Sequence, residues 1–183
     1  NGPGGFAGGA GGPQFSTGSS GGGGGAGLGG AIFMRQGGTL RIEGGFGAQN
    51  GSVLAGSGAS GNAGSPAGSA GKAWGTGLFL QGSGDITFAP AQGKTQTVAD
   101  VMADERGVAG SGGGYSLIMA GLGTLVMTGN HQYSGGTNVN TGVLRAETAM
   151  PASATGSGTV TVSGGQLAGV GHAAGLVKLT SGS

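Results

Sequence analysis

The chain has 183 residues, of which 52 are glycine and none cysteine; 7% are charged, 5% aromatic, and the formal net charge is +1. That composition lies far from the ordinary globular average. The basic residues, Arg35, Arg41, Lys72, Lys94, Arg106, Arg145 and Lys178, are scattered, which excludes a basic footprint for nucleic acid. The lack of cysteine excludes disulfide and thiolate-metal scaffolds. Collagen is excluded because glycine does not recur at every third position along the chain, and no apolar run approaches the roughly 18 residues of a membrane helix.

Residues 1–30 are more than half glycine. Ordering glycine costs about 0.5–1 kcal/mol per residue relative to alanine in a regular element, and only Phe6, Phe15 and Leu28 offer large apolar side chains in return. The segment therefore reads as a linker or irregular loop, with extended polyglycine strands held by neighbouring chain as the alternative. Gly25-Ala-Gly-Leu-Gly-Gly30 satisfies the dinucleotide fingerprint Gly-x-Gly-x-x-Gly, but five glycines precede it and a strand-like run follows. The fingerprint needs a strand before and a helix after, so no nucleotide site is expected.

From Ala31 a second region, 31–183, begins. Ile32–Met34 and Thr39–Glu43 flank the turn Gln36–Gly38, with Leu40 and Ile42 on one face and Arg41 and Glu43 on the other, the alternation of a half-buried strand. Residues 55–72 return to Gly, Ala and Ser with Pro66 and read as a long loop thrown out from the strands. Trp74, Leu78–Leu80, Ile86 and Phe88 resume the apolar pattern. Thr97–Gly107 is the one candidate helix, with Val98, Val101 and Met102 at helical spacing and Gly107 as its stop. So short a helix is marginal, and a strand and turn is the favoured reading.

The most informative stretch is Gly121–Ala146. Three short apolar pieces, bounded by Gly, Asn, Ser and Thr, read as three strands joined by turns. Leu125 and Met127 share one face of the first piece while Thr124, Val126 and Thr128 take the other. The opening phrase Gly123-Thr-Leu-Val-Met-Thr-Gly129 returns as Gly158-Thr-Val-Thr-Val-Ser-Gly164, as Gly38-Thr-Leu-Arg-Ile-Glu-Gly44, and more loosely over Gly84–Pro90. One such unit has too little apolar surface to fold alone and needs a similar unit stacked on each side.

Gly121–Ala146 resembles the autotransporter-associated β-strand repeat, also called the passenger-associated transport repeat. The positions that match its pattern are Gly121, Gly123, Thr124, Leu125, Met127, Gly129, Asn130, Tyr133, Gly135, Gly136, Thr137, Val139, Gly142 and Leu144. Met127 stands where leucine is usual, a swap of similar volume. The resemblance implies an all-β fold, a right-handed single-stranded parallel β-helix (solenoid) with Gly-rich loops, of which this chain is a fragment. It further implies a structural stalk in an autotransporter surface protein, at the cell surface or secreted, that supports export across the Gram-negative outer membrane and displays an adhesin-like passenger. The implied partner is the outer-membrane β-barrel translocator of the same polypeptide, with host surfaces or neighbouring cells as contacts of the displayed protein. Two other readings stand beside it: the stem of an autotransported enzyme with its catalytic domain elsewhere, and a Gly-rich extracellular filament protein.

Candidates for chemistry are few. Asp100, Asp104 and Glu105, beside Arg106, form the one acidic cluster and read as a solvated turn; His131 is too distant in sequence to suggest a metal site. Gly82-Ser-Gly-Asp85 is a single imperfect copy of the calcium-binding nonapeptide, which works in tandem. No serine sits in a nucleophile elbow, and neither His131 nor His172 has a carboxylate beside it in sequence. The chain is therefore expected to be no enzyme, with no catalytic residue, cofactor, metal, small-molecule substrate or nucleic acid. Asn130, Asn138 and Asn140 read as turn and ladder support, with sugar binding by exposed Asn and Tyr133 as the alternative.

Overall fold

The computed structural model describes residues 3–13, 18–62 and 64–180; Phe15 lies outside them. Contacts divide the chain into two units, Asn1–Leu28 with Ser52–Trp74 and Gly29–Gly51 with Gly75–Ser183.

In the first unit four glycine-rich segments are held by backbone hydrogen bonds. Gly9 and Gly12 donate to Gly24 and Gly21; Gly21, Gly24 and Gly27 donate to Pro66, Ser69 and Lys72; Gly56, Ala59 and Asn62 donate to Gly25, Gly22 and Ser19; Gly68 and Gly71 donate to Ala59 and Gly56. These donors recur at intervals of three, and in the last segment a second set at the same interval, Ser69 and Lys72, donates to Ala10 and Ala7; three is the period of a polyproline II chain, which satisfies no hydrogen bond internally and must find partners alongside. The segments approach so closely that a Cβ at Gly21 or Gly24 would overlap the backbone of Ala59 or Gly56, so glycine is required there. β1 (Gly27–Leu28) pairs in parallel with β5 (Ala73–Trp74) at one end, where Phe6 and Lys72 pack on the Trp74 ring.

The second unit is a stack of three-sided coils. The first holds β2 (Ile32–Met34), β3 (Leu40–Glu43) and β4 (Phe46–Ala48); the second, β6 (Leu78–Leu80), β7 (Gly84–Ala89) and β8 (Thr95–Val98). The third holds β9 (Met102–Asp104), a helical turn α1 (Glu105–Ala109), β10 (Tyr115–Met119) and β11 (Thr124–Met127). Then come β12 (Gly136–Val139) with β13 (Val143–Ala146), β14 (Val160–Val162) with β15 (Gln166–Ala168), and β16 (Val177–Leu179). Like sides of successive coils pair in parallel, giving sheets ordered β16-β14-β12-β10-β7-β3, β15-β13-β11-β8-β4 and β2-β6-β9. This is a parallel β-helix.

Register aligns inward side chains into columns. Ile42, Phe88, Met119, Val139 and Val162 form one, with Leu179 next in register but exposed, and Phe46, Gln96, Leu125, Leu144 and Leu167 form another. Inward residues of the coils below the exposed β16 thus share one continuous core, each large side chain contributing about 1.5–3 kcal/mol on full burial. Leu125 is completely buried and Val126 half-buried, facing Thr97 and Arg145. Arg41 and Glu43 point outward and pair with each other at 2.6 Å.

Between β8 and α1 the chain does form a strand and turn, but the helical turn comes later than the apolar spacing indicates. Asp104 caps it by accepting from Gly107 N, and Gly110, in the left-handed region, ends it. Gly107 is therefore inside the turn and not its stop.

Candidate functional site

The residues matching the repeat pattern occupy the contacts between coils. Gly121 and Gly123 lie against the backbone of Pro90 and Ala91 in the coil below, and Gly135 against Tyr115, leaving no room for a Cβ. Gly136 and Gly142 have φ of +105° and +68°, a region that side chains avoid. Thr124 pairs with Thr95 and Val143, while Leu125, Met127, Val139 and Leu144 are fully buried in the columns. Asn130 reaches the next coil, its Oδ1 accepting from Ser153 N at 3.1 Å. Gly129 packs on the Ala99 carbonyl and the His131 ring.

Tyr133 and Thr137 act as a pair. The Tyr133 hydroxyl lies 2.5 Å from Thr137 Oγ1, which donates to the Thr155 carbonyl at 3.3 Å in the coil above. Both side chains are buried, and burial pushes the Tyr133 phenol well above its ordinary pKa, with the Thr137 bond partly opposing. Tyr133 is therefore unavailable for a sugar. Asn140 accepts from the Ser163 hydroxyl of the following coil, in keeping with ladder support.

The acidic cluster is not a solvated turn. Asp104 is completely buried: Oδ1 accepts from Gly107 N at 2.6 Å, and Oδ2 from Tyr115 N at 2.8 Å, Ser134 N at 2.7 Å and Ser134 Oγ at 3.0 Å. Glu105 accepts from Gly82 N and Gly113 N, and Asp100 from Gly51 N. Three carboxylates thus satisfy backbone donors, most of them in connections outside the strands, and charge-assisted bonds of this kind are the stronger ones. His131 is also buried, Nδ1 accepting from Met102 N at 3.2 Å while Nε2 has no partner. His172 lies in a later coil, its Nδ1 against the Ala152 carbonyl. Among the described residues neither imidazole hydrogen-bonds a serine hydroxyl or a carboxylate, both contacting backbone groups, and no group of three or more His, Asp or Glu could hold a metal.

The family model for the passenger-associated transport repeat matches residues 117–146. The chain carries an autotransporter passenger repeat. The match opens four residues before Gly121, at Leu117, which with Met119 supplies the inward face of β10. The transport repeat therefore runs from the second half of β10 through β11, β12 and β13: one circuit of the helix brings Leu117 to its partner Thr137, and β13 adds a further side, stacked on β11. No curated protein and no solved structure matches the chain. Among the described residues no helix is long and apolar enough to cross a membrane.

Proposed function

We propose that this chain is a structural segment of an autotransporter passenger, a β-helical stalk that supports export across the outer membrane and displays an adhesin-like passenger at the cell surface. The β-barrel translocator of the same polypeptide would be its anchor. The transport repeat carries this reading. Its pattern residues are committed to coil stacking through close glycine contacts, buried columns and the Tyr133–Thr137 pair, which leaves them a structural role. A coil that completes its core only on its neighbours suits a chain that emerges gradually and folds where no ATP is available, because each added coil is stabilised by the one before it.

The test is where the native full-length protein resides. Intact producing cells are treated with protease and with an antibody to this segment. Antibody binding and cleavage without lysis are the expected result, whereas protection until the cells are broken would overturn the proposal.

A further inference from the structure

Two sides of the third and fourth coils are joined by regular ladders: β10 to β12 through Ser116–Met119 and Gly136–Val139, and β11 to β13 through Thr124–Met127 and Val143–Ala146. The third side is different. β9 has no strand above it, and the ladder shrinks to a single bridge between Ala103 and Gln132, made by Gln132 N to Met102 O at 2.7 Å and Asp104 N to Gln132 O at 3.3 Å. Side chains take over on either flank. Below the bridge the Met102 N–H is received by His131 Nδ1, and beyond it Ser134 N and Oγ are received by Asp104.

This joint depends on protonation state. Nδ1 accepts only in the neutral imidazole whose proton is on Nε2. A proton on Nδ1 would set two donors against each other and place a charge in the core. The titratable groups around the joint are Asp100 and Asp104 on the preceding coil, Tyr133 beside His131 at 6.4 Å between ring centroids, and His172 one coil on, whose carbonyl receives Ala154 N. Glu105, Arg106 and Tyr115 flank Asp104. Asp100, Asp104 and Glu105 are each occupied by backbone donors; none of them makes a hydrogen bond or ion pair to the imidazole, so none of the three offsets a charge there, and the Val98 carbonyl does so only in part.

We propose that the seam between the third and fourth coils is an acid-sensitive joint, in which protonation of His131 releases the Met102 N–H and lets the coils part locally at the Ala103–Gln132 bridge.

Burial holds the folded imidazole down to about 4, the Val98 carbonyl opposing only partly, whereas a free histidine titrates near 6.5. The opened seam therefore binds the proton more tightly than the closed one. Its closure is fully stable above about pH 6.5 and weakens progressively as pH falls toward 4. From these two values the opening equilibrium rises roughly 20-fold between pH 7 and pH 5.

Hydrogen exchange of the full chain at the two pH values, corrected for intrinsic rates, reads this directly. Peptides covering Val101–Asp104 and His131–Ser134 should gain that increase while those of β7 and β10 do not. In His131→Gln, whose amide oxygen can accept from Met102 N without titrating, the increase should vanish. An equal increase in both proteins, or one spread evenly over all coils, overturns the proposal. Imidazole NMR of the unsubstituted chain gives an independent reading, because it contains two histidines: a buried midpoint near 4 supports the joint, and two midpoints near 6.5 overturn it.

Discussion

The Tyr133–Thr137 pair offers a measurement that separates a bonded pair from two residues that merely fill space. Thr137 Oγ1 donates to the Thr155 carbonyl and so receives the Tyr133 O–H on its lone pair. Tyr133→Phe removes one buried bond and leaves Thr137 with its carbonyl partner, a loss of about 1 kcal/mol. Thr137→Val is worse, since it strands the buried Tyr133 hydroxyl and deprives Thr155 O of its donor; a buried group left unsatisfied costs about 1–3 kcal/mol. With both replaced, the phenol no longer needs a partner, so the double variant should lose less than the sum by about 1 kcal/mol. Urea denaturation of all four proteins, with unchanged slopes, gives the cycle. Losses that add to within about 0.5 kcal/mol, the margin for independent sites, would refute the pairing.

Other consequences are as specific. Gly142→Ala forces a side chain into φ +68° against the Gly121 carbonyl and should cost more than the ~1 kcal/mol at which a left-handed residue is usually penalised, seen as an earlier thermal midpoint. In the first unit, Gly24→Ala should abolish exchange protection at Gly24 and Gly56, because its Cβ meets the Gly56 carbonyl, while Gly25→Ala, which points into open space, should leave protection intact. Asp104→Ala leaves the N–H groups of Gly107, Tyr115 and Ser134 without their acceptor and should destabilise by several kcal/mol, lowering the denaturation midpoint far more than Asp85→Ala at an exposed position.

What could be read from the sequence was local. Alternation at Leu40–Glu43 and Thr124–Met127 assigns inward and outward faces because the pleat period is two, and the structure buries Ile42, Leu125 and Met127 accordingly. Asp104, His131 and the Tyr133–Thr137 pair were not legible in the same way. Their environments are set by residues a coil away, and a carboxylate that accepts backbone donors from Ser134 looks, in sequence, like any acidic turn. The first unit hid its order for another reason: its period of three belongs to backbone donors such as Gly21, Gly24 and Gly27, and glycines at intervening positions erase it from the sequence.

If folding of the transport repeat as a stacked coil serves export, the two faces of β11 must respond differently to a charge. Leu125→Asp places a carboxylate between Gln96 and Leu144 in the buried column, and Val126→Asp, one residue on, places it outside beside Thr97 and Arg145. An unpaired buried charge costs several kcal/mol or opens the structure. Surface labelling of cells producing each variant of the full-length protein, followed by protease challenge, should find the Leu125 variant depleted or degraded and the Val126 variant displayed like the parent; equal display and equal resistance would contradict both the inward assignment and the role in export.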